Sequence, residues 1–206
     1  MDEPTDAAVI AASLDDPASF APIFDRHAAT LLRFLVRRVG PDAADGLVGD
    51  TFRVAFERRG SYDLDRPFAR PWLYGIATNL LARHRRAEAR RLSALSRLAG
   101  RAAAGAPEQA AAPAEAAVER LDAQDRWPTV ASAIADLPPG ERDTLLLYAW
   151  EDLSYGDIAQ ALGIPVGTVR SRLNRARTRL RAGCEPGGPR SEQPSTPTED
   201  RGRIGP

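Results

Sequence analysis

The chain is expected to be all-α: two small helical domains joined by a flexible linker, with a helix-turn-helix in the C-terminal one. Three observations predict this. Apolar residues recur at helical spacing over most of the length, and no segment alternates with the period of a strand. A stretch reduced to Ala, Gly, Pro, Gln and Glu, from Gly100 to Ala117, buries little and divides the helical regions. The run from Leu153 to Leu173 reads as two short helices around a tight turn, the second with arginines on one face only.

Taken in order, residues 1–14 are short, polar and Ala-rich and are read as a flexible N-terminus. The first helical domain is placed at 15–98. A helix from near Ser19 to Val39 carries Phe20, Ile23, Phe24, Leu31, Phe34 and Leu35 on its apolar face and stops at Gly40-Pro41. A second runs from about Ala43 to Arg59 with Val48, Thr51, Phe52, Ala55 and Phe56 as its stripe. The loop Ser61 to Pro71 is stiffened by Pro67 and Pro71. A third long helix begins near Trp72, turns Leu73, Ile76, Ala77 and Leu80 inward, and ends in the basic run Arg83-His84-Arg85-Arg86.

The linker spans 99–117 and the second domain 118–182, with helices over roughly Val118 to Arg126 and Thr129 to Ala135. Pro138-Pro139 starts another, in which Leu145, Leu146 and Tyr148 are apolar. In the helix-turn-helix, Ser154 with Asp157 makes a capping box, and Ile158 and Leu162 share a face. Gly163 suits a left-handed C-cap and Pro165 prevents continuation. Val169, Leu173, Ala176 and Leu180 then form the inner stripe, leaving Arg170, Ser171, Asn174, Arg175 and Arg177 outside. No acidic residue lies between Val166 and Arg181, so these arginines have no i,i+4 partner on their own helix. The tail 183–206, rich in Pro, Gly, Ser and Thr, is expected to be disordered.

Net charge is zero over 206 residues, with 28 basic and 28 acidic side chains, but the charges are segregated. Asp42, Asp45, Asp50, Glu57, Asp63 and Asp65 crowd one stretch, while arginines cluster at Arg83 to Arg101 and Arg170 to Arg181. Every basic residue is arginine, a planar and permanently charged donor. Cys184 is the single cysteine, which excludes a disulfide framework or a four-cysteine zinc site. With no signal-like N-terminus and no membrane-length apolar run, the protein is expected in the cytoplasm, without a membrane association. It is read as not an enzyme and as needing no cofactor or metal. His27 and His84, the two histidines, fall on different helices, and no nucleophile-base constellation is visible.

Two motif blocks carry a resemblance. Leu137-Pro138-Pro139-Gly140-Glu141-Arg142, followed by Leu153-Ser154-Tyr155, Ile158-Ala159 and Leu162 through Arg177, resembles region four of the extracytoplasmic-function (ECF) sigma factors of bacterial RNA polymerase. Leu47-Val48-Gly49-Asp50-Thr51-Phe52 and Trp72-Leu73-Tyr74-Gly75-Ile76-Ala77-Thr78-Asn79 resemble region two. The resemblance covers roughly Phe20 to Arg91 and Leu121 to Arg181, with the blocks in the family's order. It implies a transcription initiation factor that binds the clamp and flap of core RNA polymerase and directs it to promoter DNA. Region two would melt the minus-ten element and region four would read the minus-thirty-five element as duplex. An anti-sigma factor is left open as a further partner.

Residue by residue, Asp45, Leu47, Val48, Asp50, Thr51 and Phe52 are the expected polymerase-binding set. Gly46 and Gly49 depart from the acidic residue and glutamine usual there. Asn79, Arg83 and Arg86 fall at i, i+4 and i+7, and with Arg85 form the expected minus-ten set. The resemblance implies that Asn79 and the Ser61 to Pro71 loop capture a flipped base. Phe68, Trp72 and Tyr74 are possible stacking platforms, with a core role favoured for Trp72, and the Phe68 to Trp72 spacing is one residue long. For the minus-thirty-five element the expected set is Thr168, Arg170, Ser171, Arg172, Asn174, Arg175, Arg177 and Arg179, with Arg170, Ser171, Asn174 and Arg175 as base readers. Two rival readings are a stand-alone helix-turn-helix regulator and a degenerate sigma-like interaction protein without initiation activity.

Overall fold

The computed structural model describes residues 3–102 and 127–184, which are mostly helical, and no strand occurs among them. The expected linker beyond Ala102, the expected helix over 118–126 and most of the tail lie outside the described residues. The elements are α1 (Asp6–Asp15), α2 (Ala21–Val39), α3 (Pro41–Glu57), α4 (Arg70–Ala102), α5 (Trp127–Ala135), α6 (Pro139–Ala149), α7 (Tyr155–Leu162) and α8 (Val166–Cys184). Single 3-10 turns, Pro17–Phe20 and Arg59–Ser61, join α1 to α2 and follow α3.

The N-terminus departs from expectation. Residues 6–15 form a packed helix, not a flexible arm: Thr5 caps it through the Ala8 N–H, and Val9 and Ile10 are buried. Its Ala-rich sequence has little amphipathic pattern, so only the neighbouring helices reveal which side is covered. Asp6 ties it to α2 through Arg26 (3.0 Å) and His27 (2.9 Å).

The first core is built by α2, α3 and α4 around Ile23, Leu31, Phe34, Leu35, Phe52, Leu73, Tyr74 and Leu81. Phe24, expected inside, is half exposed and lies across Phe52 at 4.8 Å between ring centroids. Gly40, at φ 78°, makes the sharp break between α2 and α3 that a side-chain-bearing residue would resist. The third expected helix starts at Arg70 rather than Trp72, with Pro71 in its first turn where no N–H is needed. It runs 33 residues, so its backbone continues through positions 99–102 assigned to the linker.

In the second unit α5, α6 and α7 pack on α8, whose Val169, Leu173 and Ala176 are buried as the stripe predicts. The two units touch. α4 packs directly on α7, and a β-carbon at Gly75 would sit 2.5 Å from the Ala161 carbonyl oxygen. Only glycine allows the helices this approach.

Candidate nucleic-acid interface

The first candidate surface is one face of α4 with the loop that precedes it. Asn79, Arg83 and Arg86 are exposed together, as their spacing requires. Arg85 is not with them. It is half-buried towards Asp143 of α6, and burial lowers its guanidinium despite that attraction. Of the aromatic candidates, Tyr74 is buried, and Trp72 packs on Tyr62 at 5.0 Å as a core partner. Phe68 is 68% exposed. The loop is stiff: the Tyr62 hydroxyl donates to the Arg66 carbonyl (2.7 Å) and Asp63 accepts from the Asp65 N–H (3.2 Å).

On α3 the expected polymerase set divides. Asp45 and Asp50 are exposed, whereas Leu47, Val48, Thr51 and Phe52 are buried in the domain's own core. Thr51 uses its hydroxyl on the Leu47 carbonyl (2.7 Å). These four shape the helix from within the domain. An apolar stripe looks the same whether it covers a core or awaits a partner.

The second surface is α7, the turn and α8. Both hydrogen bonds of the Ser154/Asp157 capping box are present, and Gly163 adopts φ 63°, ψ 38° as a left-handed C-cap. Arg170, Ser171 and Asn174 are exposed along the outer face, with Thr168 half-buried at its start. The remaining arginines are exposed, apart from half-buried Arg172, and each also makes a contact within the domain. Arg175 and Arg179 reach Glu141 of α6 at 3.3 and 3.2 Å, Arg177 lies over the Tyr148 ring at 5.4 Å, and Arg172 crosses the face of Gly140. Neutralisation therefore comes from across the helix pair, which spacing within α8 could not disclose.

Between the surfaces lies the interdomain contact, a role that sequence spacing does not disclose for its residues. Tyr74 donates to the buried Glu151 carboxylate, and Arg70 reaches the Glu151 backbone carbonyl. Burial first, and then Glu151, push the Tyr74 hydroxyl up, so it stays a donor. Arg37 stacks on Trp150 at 5.3 Å, and Arg66 donates to Gln160 (2.8 Å). Asp143 faces Arg38 and Arg85 from one unit and Arg142 and Arg172 from its own; burial nevertheless raises its carboxyl. Burial pulls Arg38 down to about 10, which leaves it charged at neutral pH. The one available signal was Gly75, a helix-interior glycine that costs roughly 1 kcal/mol against alanine.

A cleft of about 620 Å³ opens beside the loop, lined by His27, Phe68 and Arg70 on one side and Asp152, Asp157 and Gln160 on the other. With Asp63 and Asp65 also at its rim, it is a poor seat for phosphates while the units touch. Among the described residues no His, Cys, Asp or Glu group could hold a metal ion, and no helix is long and apolar enough to cross a membrane.

Comparison with known proteins accounts for both units. Residues 23–91 match the sigma-70 region 2 family and residues 129–180 match sigma-70 region 4. The chain is 32% identical to the ECF RNA polymerase sigma factor SigL of Mycobacterium tuberculosis over 177 residues, covering 85% of this chain and 94% of that protein. It is 29% identical to the ECF sigma factor SigW of Bacillus subtilis, covering 81% and 89%. Among solved structures, CnrH bound to the cytosolic domain of CnrY aligns with a TM-score of 0.58 at 26% identity, covering 86% of this chain and 95% of CnrH. The sigma factor RpoE of Bartonella quintana, in complex with the anti-sigma factor NepR, aligns at 0.56 and 25%, covering 80% and 95%.

Proposed function

The chain belongs to the ECF group of RNA polymerase sigma factors, and from that premise we propose how its two domains divide promoter recognition. The first domain docks on the clamp of core polymerase through the acidic edge Asp45 and Asp50 of α3. Its α4 face then receives the melted minus-ten strand. Arg83 and Arg86 hold phosphates, the Asn79 amide reads an unstacked base edge, and Phe68 offers a ring on which that base stacks. The second domain lays α8 in the major groove of the minus-thirty-five element and leans on the polymerase flap. Arg170, Ser171 and Asn174 read base edges, while Thr168 and the flanking arginines position the helix on phosphates.

The observation that carries this reading is the pairing of two exposed polar faces, each mixing arginine with an amide, on separate domains. A stand-alone regulator would need only the second. The interdomain contact adds a requirement. Elements named for positions about 25 base pairs apart are separated by roughly 85 Å at ~3.4 Å per pair. α4 packs on α7 and α7 on α8, and neighbouring helix axes lie about 8–10 Å apart. The axis of α8 is then within roughly 20 Å of the α4 contact. One closed unit cannot reach both elements, so the domains part on the promoter. An anti-sigma partner fits the same logic, since anything that favours the closed form competes with the promoter.

In vitro transcription with core polymerase on a randomised promoter pool tests the reading. Enrichment of paired minus-thirty-five and minus-ten sequences is expected. Tight, specific duplex binding by the free chain, with no polymerase-dependent transcript, would instead favour the stand-alone regulator.

A further inference from the structure

The Asp6 carboxylate is buried, at 5% exposure, where α1, α2 and the start of α4 meet. One oxygen accepts from Arg26 (3.0 Å), and the other lies 2.9 Å from His27 Nε2 and accepts the Ala69 backbone N–H at 2.8 Å. Next to it the Ala7 N–H reaches the Pro67 carbonyl at 3.4 Å. Backbone groups on both sides of Phe68 are thus held by consecutive residues of α1, while the ring between them points to solvent. Ala69, fully buried, also begins α4 by accepting from Leu73 (2.9 Å). Without Asp6 the Ala69 N–H would be a buried donor with no acceptor, and the loop would shift to satisfy it. Attachment of α1 does not rest on this carboxylate alone. Val9 and Ile10 are buried, and Arg59 Nε donates to the Ser13 carbonyl at 3.1 Å.

We propose that Asp6 is a positioning residue for promoter opening: its buried carboxylate clamps the backbone beside Phe68 so that this ring is presented to the unstacked minus-ten base. The inference rests on the assignment of the α4 face to the minus-ten strand. Asp6 touches no nucleic acid; it acts through the loop. A ring displaced by about 1 Å stacks poorly, and misplacement on that scale can cost up to ~100-fold in a geometry-dependent step.

The test uses the full chain with core polymerase and a promoter recovered from the transcription pool, carrying 2-aminopurine at each minus-ten position in turn. Asp6→Ala and Phe68→Ala are expected to weaken the fluorescence rise at the same single position and to slow opening about tenfold, with polymerase affinity unchanged. In the double variant the losses do not add, because both remove one interaction. Asp6→Asn loses the ion pair with Arg26 but keeps an acceptor for the Ala69 N–H, so it melts earlier yet opens promoters almost normally. Thr5→Ala removes only the helix cap and calibrates a general weakening of α1. Equal opening defects in Thr5→Ala and Asp6→Ala at matched stability would overturn the proposal, as would additive losses in the double variant. Wild-type opening by Phe68→Ala would overturn it at the platform itself. If the wild-type chain opens no promoter with polymerase, the minus-ten assignment fails first and the proposal falls with it.

Discussion

Gly75→Ala is the sharpest perturbation of the closed form. The added β-carbon would lie 2.5 Å from the Ala161 carbonyl oxygen and 3.2 Å from its carbonyl carbon and α-carbon. A comfortable carbon-oxygen separation is about 3.3 Å, so the contact is short by roughly 0.8 Å. The obstacle is backbone and cannot rotate away, so α7 must move as a unit. Where the units part, Glu151, in the connection between α6 and α7, also leaves Tyr74 and Arg70. Overpacking of this kind costs about 1–3 kcal/mol, paid only when the domains touch. Replacing a helix-interior glycine gains roughly 1 kcal/mol in both the open and closed forms. The closed-to-open ratio should therefore fall about 5- to 150-fold, while the first domain by itself becomes no less stable. Dyes on Asp42→Cys and Arg181→Cys, with Cys184→Ser, report the domain separation by single-molecule energy transfer. Small-angle scattering gives the overall dimensions independently. Polymerase should capture the variant more readily, by up to the gain in the open fraction. Unchanged transfer efficiency together with unchanged dimensions would refute the reasoning, because no rearrangement within α4 alone can relieve a clash with another helix.

Other consequences follow from the same geometry. Glu141→Gln releases Arg175 and Arg179, so nonspecific duplex binding should tighten at low salt and its log-log salt slope steepen by about 1–2; filter binding across salt concentrations measures both. Asn174→Ala should cost about 1–3 kcal/mol on the preferred minus-thirty-five sequence and relax preference at a single base pair, whereas a uniform loss over all sequences would place Asn174 on a phosphate. Burial pushes the Asp6 carboxyl up, but hydrogen bonds from His27, the Ala69 N–H and Arg26 outweigh it and hold the group at about 2 against an ordinary 3.8. Its contribution is complete above the ordinary value and disappears as pH falls through about 2. The stability gap between wild type and Asp6→Asn in urea unfolding should then shrink by roughly 2 kcal/mol between pH 5 and pH 2. A constant gap would mean that the carboxylate is not held in this way.

The helix-turn-helix was legible residue by residue because its signals are local. A capping box, a left-handed C-cap and an inner stripe each involve side chains within a turn or two of one another. The same holds for the exposed row Asn79, Arg83 and Arg86. Arg85, one position away from Arg86, lies in an environment that spacing does not disclose, because its burial and its approach to Asp143 arise from a helix far along the chain. Leu47, Val48, Thr51 and Phe52 illustrate a different limit. Their periodicity says that something covers them, but not whether it is the chain's own core or another protein.

The sequence by itself determined the helical class, the order of the motif blocks, the turn at Gly163 and the segregation of charge, since these depend on neighbours a few residues apart. Tertiary structure alone decided that residues 6–15 are a packed helix, that Glu141 occupies Arg175 and Arg179, that Asp6 grips the backbone beside Phe68, and that Gly75 lets α4 meet α7. The reason is physical. Helix periodicity is dictated by the backbone and can be read along the chain, whereas a pairing between distant residues forms only when the whole fold brings two surfaces into contact and removes the water between them.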